Sequence, residues 1–184
     1  MSFSKIIAES MDLTDAYNFT GTLQQNGASI GGNNKPYFQA SVSSDVSLSD
    51  GTHTAIVCNQ ETLDTGSLFN TSTGKFTMDS TNAGKYYIFF RASLDADTNF
   101  SSTGNYFGAE LRKYNSSNAL QQTHRTRMGF SNIYWPTAVA VGVFDLANGD
   151  YVIPYTIVTS SGRTIIGSSG TFQYVEFAGY KLID

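Results

Sequence analysis

From Pro36 to the C-terminus the chain is built of short runs of β-branched and aromatic residues separated by Gly, Asn, Asp and Ser, and no helical period is present. The pattern predicts strands over 37–43, 54–59, 75–78, 85–93, 106–114, 122–130, 137–145, 150–158 and 171–182. Asn148-Gly149 between two of them reads as a tight hairpin turn, because both positions of a primed turn ask for positive φ. The first residues are different. Phe3, Ile6, Ile7 and Met11 fall at helical spacing, and a polar, Gly-rich stretch ending in Gly31-Gly32-Asn33-Asn34 follows them. The expected organisation is an extended or helical anchoring segment and linker over 1–34, then an all-β, antiparallel two-sheet jelly-roll sandwich over 35–184.

Several strands are apolar on both faces. Tyr86, Ile88 and Phe90 point one way while Tyr87 and Phe89 point the other, and Tyr151, Ile153, Tyr155 and Ile157 oppose Val152, Pro154 and Val158. One sandwich core covers one face of each sheet, and an antiparallel sheet ordinarily turns its other face to water. A second copy of the chain is the simplest cover. The rings expected at such an interface are Tyr86, Tyr87, Phe89, Tyr151, Tyr155, Phe172 and Tyr174.

Charge narrows the range of partners. Charged residues make up only 14% of the chain while aromatic residues also reach 14%, which suits sheets and contact surfaces. The net charge of -4 leaves no footprint for gripping a phosphate backbone, so nucleic acid is not an expected partner. The single Cys58 cannot form an intrachain disulfide, and it reads as a small buried hydrophobe. The N-terminal stretch holds only Ile6-Ile7 as a contiguous apolar pair, too short for a secretory core, and no later stretch is long enough for a helical membrane span. Synthesis in a host cytoplasm, without membrane insertion, is the expectation.

Over about Pro36 to Asp184 the order of segments resembles the tumour necrosis factor and complement component-one-q globular-head superfamily. The marks are Asn70 before Gly74-Lys75-Phe76-Thr77, the run Gly84-Lys85-Tyr86-Tyr87-Ile88-Phe89, and the closing Phe177-Ala178-Gly179-Tyr180-Lys181-Leu182. The resemblance implies a ten-stranded jelly roll that assembles as a homotrimer. It also departs from the family's secreted ligands, lacking a collagen repeat, a signal peptide and the family disulfide. Residues 4–23 are similar in style to leaders on structural proteins of tailed bacteriophages, which implies a virion protein.

Candidate chemistry is sparse. His53 and His124 stand far apart and flank no spaced carboxylates, so neither a metal nor a cofactor is expected. Asp95, Asp97 and Asn99 offer oxygen ligands for calcium but lack the Gly turn and distal Glu of an EF-hand, and a plain polar loop is the alternative. The cluster His124-Arg125-Thr126-Arg127 reads as a solvated strand edge or as a contact for an acidic sugar or neighbouring chain. Tyr134 and Trp135 read equally as a sugar-stacking pair or as a plug of the barrel end. Ligand contacts would then involve Tyr134, Trp135, Arg125 and Arg127. No nucleophile elbow, phosphate loop or paired carboxylates stand out, so an enzyme such as a glycan depolymerase is disfavoured.

Two functions remain from different classes. One is a non-enzymatic virion module, a homotrimeric capsid-decoration or fibre protein docked onto other virion proteins through Phe3, Ile6, Ile7 and Met11. The other is a receptor-binding adhesin whose distal loops, 94–103 and 160–170, hold a host surface glycan.

Overall fold

A computed structural model describes residues 34–95, 105–129, 135–159, 163–167 and 173–182, together with the strand pair 24–25 and 28–29. The chain divides into two units, Met1–Asn33 and Asn34–Asp184. Within the first, β1 (Gln24–Gln25) pairs antiparallel with β2 (Ala28–Ser29). The expected helical stripe of Phe3, Ile6, Ile7 and Met11 lies outside the described residues, as do Phe130 to Tyr134, Phe172, Asp97 and Asn99.

The second unit is all-β. In chain order it contains β3 (Tyr37–Ser41), β4 (Val46–Leu48), β5 (Thr54–Ala55), β6 (Gln60–Asp64), β7 (Phe69–Asn70), β8 (Lys75–Thr77), β9 (Gly84–Ser93), β10 (Tyr106–Tyr114), β11 (Leu120–Gly129), β12 (Thr137–Leu146), β13 (Tyr151–Val158), β14 (Arg163–Ile165) and β15 (Val175–Lys181). A five-stranded sheet runs β12-β9-β15-β3-β6, and a six-stranded sheet runs β11-β10-β13-β8-β7 with β5 added beside β13. β4 and β14 form a separate antiparallel pair.

The alternation seen in the sequence places the core between the two sheets. Phe38, Tyr86, Ile88, Phe90, Ala140, Phe144 and Phe177 of the five-stranded sheet meet Phe76, Phe107, Ala109, Leu111, Val152 and Val158 of the other. Aromatic stacking carries much of the join. Phe38 stacks on Phe76 at 4.1 Å and meets Phe177 edge-on at 4.8 Å, and Phe76 meets Tyr86 edge-on at 5.4 Å. Such pairs add about 0.5–1.5 kcal/mol each beyond area burial.

Tyr86 therefore belongs to the core and not to an interface between copies. Its inward register leaves it fully buried, and its hydroxyl donates to the carbonyl of Asn82 at 2.7 Å. Burial also raises the tyrosine's pKa, with the Asp79 charge adding to the effect. Cys58 is likewise a buried free thiol, pushed up to about 12 by burial.

The Asn148-Gly149 turn does not close a hairpin. β12 belongs to one sheet and β13 to the other, so the turn is a corner between layers. Only Gly149 takes a positive φ, 82°, and its N–H donates across to the carbonyl of Met78 at 2.8 Å. Asp150 holds the corner by accepting the Ala147 N–H at 3.0 Å and pairing with Lys113 at 2.8 Å. The strand over 54–59 shortens to Thr54–Ala55, and the strand Gln60–Asp64 forms instead from a polar stretch with no apolar alternation.

Where β11 folds over the free edge of β12, His124 lies edge-on to Phe144 at 5.0 Å and leaves no room for a side chain at 142. A Cβ on Gly142 would sit 2.5 Å from its ring. The amide of Gln122 and the amine of Lys113 donate to the Val143 and Asp145 carbonyls of that edge. That end of the edge is thus closed to pairing with another strand.

One core position is mismatched. Thr156 on β13 is fully buried, and its hydroxyl has no hydrogen-bond partner. Leaving a buried hydroxyl unpaired costs about 1–3 kcal/mol. Thr156→Val, which keeps the shape and removes the hydroxyl, is expected to raise unfolding free energy by about 1 kcal/mol in a denaturant titration. A loss of stability would show that the hydroxyl is satisfied.

Candidate functional site

The two outward faces of the sandwich differ in chemistry. On the five-stranded sheet the register sends Val139, Val141 and Val143 of β12 outward, along with Tyr87 and Phe89 of β9, Tyr180 of β15 and Leu63 of β6. Val141, Val143 and Leu63 remain 46%, 48% and 46% exposed. The small inward residues Ala138, Ala140 and Gly142 let β12 lie close to the core, while its larger branched side chains stand outside. Tyr87 and Tyr180 pack with ring centroids 5.5 Å apart.

At the opposite edge of this sheet an open cleft of about 430 Å³ is lined by Tyr37, Leu63, Phe89, Ala178, Gly179 and Tyr180 among others. Gly179 contributes backbone to its lining; the side-chain position faces the core, where a Cβ would lie 2.8 Å from the Tyr87 carbonyl and 3.0 Å from Phe38. A polar rim closes one side. Glu176 accepts from Gln39 at 2.7 Å and pairs with Arg91 at 3.2 Å.

The outward face of the six-stranded sheet is finished by its own chain. Glu110 of β10 is fully buried although it points away from the core, because charged and aromatic side chains close over it. Arg112, two residues along the same strand face, donates to Glu110 Oε2 from Nε at 2.9 Å and from Nη2 at 2.6 Å. Arg125, directly across on β11, pairs through Nε with Oε1. His53 Nδ1 approaches the same oxygen at 2.9 Å from just before β5. Burial by itself would raise the Glu110 pKa, but the hydrogen bonds and charges of Arg112 and Arg125 outweigh it and hold the carboxyl below its ordinary 4.5. His53 is lowered from 6.5, by burial first and by the three arginines Arg112, Arg125 and Arg127, against the opposing pull of Glu110.

Cations and rings alternate on the rest of this face. Arg112 lies over Tyr155 at 4.1 Å, Arg127 over Tyr106 at 4.7 Å and Lys75 over Tyr151 at 3.9 Å. Tyr114 stacks on Tyr151 at 5.1 Å, and the Tyr114 and Tyr155 hydroxyls lie 3.3 Å apart. Burial and that contact push Tyr155 up to about 12.

The expected interface rings are therefore divided. Tyr87 and Phe89 lie half-buried on the outward face of the five-stranded sheet, beside valines that the sequence reading left out. Tyr151 and Tyr155 lie on the opposite face of the sandwich, where Lys75, Arg112 and Tyr114 of the same chain cover them. The two sets thus face opposite sides of the sandwich. Tyr174 sits at one end of the sandwich, edge-on to Trp135 at 6.2 Å. Trp135 is 56% exposed with φ 51°, so it does not plug the barrel end. Arg125 and Arg127 share the outward face of β11, where Arg125 reaches Glu110 and Arg127 lies over Tyr106.

No described family of proteins matches the sequence, and no curated protein does. Solved structures do. The globular domain of zebrafish complement 1qA protein aligns with a TM-score of 0.53 at 18% identity, over 81% of this chain and 98% of that one. Murine APRIL aligns with a TM-score of 0.57 at 14% identity, over 79% and 98% of the two chains. Eiger TNF from S. frugiperda gives 0.51 at 12% identity, over 80% and 91%. The fold is the jelly roll of the tumour necrosis factor and complement 1q domains. Among the described residues no cluster of His, Cys, Asp or Glu forms a metal site, and no helix is long and apolar enough to cross a membrane.

Acid should loosen this charged face. Glu110 has a depressed pKa, so its contribution is present above 4.5 and is lost as pH falls through its folded value. His53, also depressed, opposes folding once pH drops below 6.5. The melting temperature is expected to fall steadily from pH 7 to pH 3. Glu110→Gln should flatten the lower part of that profile and cost about 3 kcal/mol at pH 7, since two arginines lose their partner. An unchanged pH profile in the variant would remove Glu110 from the account.

Proposed function

We propose that the protein is a non-enzymatic, homotrimeric structural module of a virus particle, a capsid-decoration or fibre domain attached through residues 1–34. The observation that carries the assembly is the outward face of the five-stranded sheet, with a ridge of Val139, Val141 and Val143 at one edge and an apolar cleft at the other. Ridge and cleft are different surfaces on one molecule, so docking one into the other is head-to-tail. Such a contact closes into a ring when the rotation between copies allows it. Three copies, each ridge seated against Leu63, Tyr37 and Tyr180 of the next, would remove both apolar surfaces from water.

The jelly-roll likeness to complement 1q and tumour necrosis factor domains supports a module that works by contact and not by catalysis. The reading as a virion component rests on the leader-like sequence of residues 4–23 and on the partners it implies. Labelling the protein on purified particles and imaging them tests it; absence from particles would exclude that assignment.

Assembly is tested separately. Light scattering at micromolar concentration should give three times the mass of one chain. Val141→Asp places a charge on the ridge without touching the core, and is expected to yield a folded monomer. A monomeric parent protein, or a trimer unaffected by Val141→Asp, would contradict the proposed contact.

A further inference from the structure

Across the outward positions of β8, β10, β11 and β13 stand four cations, Lys75, Arg112, Arg125 and Arg127, against the single carboxylate of Glu110. Four less one leaves this face at +3 in a chain whose net charge is -4. The excess is also held in place. Glu110 takes the inner edges of two guanidiniums, Nε and one Nη2 of Arg112 and Nε of Arg125, which leaves other N–H donors of both uncommitted to it. Arg127 lies across Tyr106, where the absence of a side chain on Gly108 gives room for its stem: a Cβ there would stand 3.2 Å from Arg127 Cγ.

We propose that this face binds an acidic polysaccharide, its carboxylate groups seated on Arg125 and Arg127 at the β11 edge. The two side chains leave the same side of the strand two residues apart, roughly 7 Å. Each presents a planar fork that matches a carboxylate in a way a lysine does not. The carboxylate beneath them is buried, so it orients Arg125 while offering an incoming anion little direct repulsion. A polysaccharide fits better than a nucleic acid, because a face of +3 neutralises few phosphates and affinity for a nucleic-acid backbone rests on the number neutralised. Phenolic hydroxyls of the Tyr114 and Tyr155 pair stand on the same face, at hand for sugar hydroxyls. The site lies within one copy and does not depend on the trimer, although three copies would multiply a weak affinity.

The test uses the full chain with three probes: polygalacturonate, neutral dextran and a thymidine oligonucleotide. Binding of polygalacturonate is expected at 50 mM salt, weakened about tenfold at 200 mM, with dextran unbound and the oligonucleotide much weaker, as charge pairing with few contacts requires. Arg127→Gln, which breaks no ion pair with Glu110, should weaken polygalacturonate about fivefold, and Arg125→Gln with Arg127→Gln at least tenfold. Melting temperature checks that both variants are folded. No binding by the parent protein would overturn the proposal. So would parent-like binding by the folded Arg127→Gln variant, or an oligonucleotide bound as tightly as polygalacturonate.

Discussion

A two-layer sandwich can hide only one face of each of its sheets, and the five-stranded sheet here is apolar on both. Its inward side chains are the aromatic centre of the molecule, where Phe38 bridges Phe76 and Phe177. Its outward side chains are valines, Leu63 and a tyrosine pair that nothing in the described chain covers. Removing apolar surface from water is worth about 25 cal/mol per Å², so an uncovered patch of this kind favours association. Along the edge of β12 next to the valines, Gln122 and Lys113 already occupy the Val143 and Asp145 carbonyls, which favours contact through the sheet face there.

The six-stranded sheet meets the same constraint differently. Its outward rings are covered by cations of the same chain, and its carboxylate is covered by arginines. This finish leaves a wet, positively biased surface in place of a greasy one. The two faces thus divide the labour: one can bury itself against copies of the chain, while the other remains available to a ligand of opposite charge.

Much of this was legible in the sequence. The strands over Tyr106–Tyr114 and Thr137–Leu146 show their alternation directly, and the double-faced run in β9 pointed to a covered outer surface. What the pattern could not show was which sheet each strand joins. Tyr151 and Tyr155 looked equivalent to Tyr87 and Phe89 because alternation reports a side of a strand and not a side of the molecule. The Asn148-Gly149 corner misled for a related reason, since a turn signal does not say whether the next strand pairs with the last. Val139, Val141 and Val143 had a signal that went unused: small residues alternating with larger branched ones mark a strand whose bulky side faces outward. The clamp on Glu110 was only partly readable: Arg112 stands two residues along the same strand, but Arg125 and His53 reach the carboxylate only because β11 pairs with β10 and β5 with β13.

The proposed head-to-tail seating of the valine ridge in a neighbouring copy's cleft is most directly tested by covalent capture. A chain carrying both Val141→Cys and Leu63→Cys, oxidised mildly and run without reductant, should give a covalent trimer, while either single change alone should give none. Cys58 does not interfere, being buried with its thiol pushed up to about 12. A covalent dimer from Val141→Cys alone, or a double variant that stays a single chain, would contradict the arrangement.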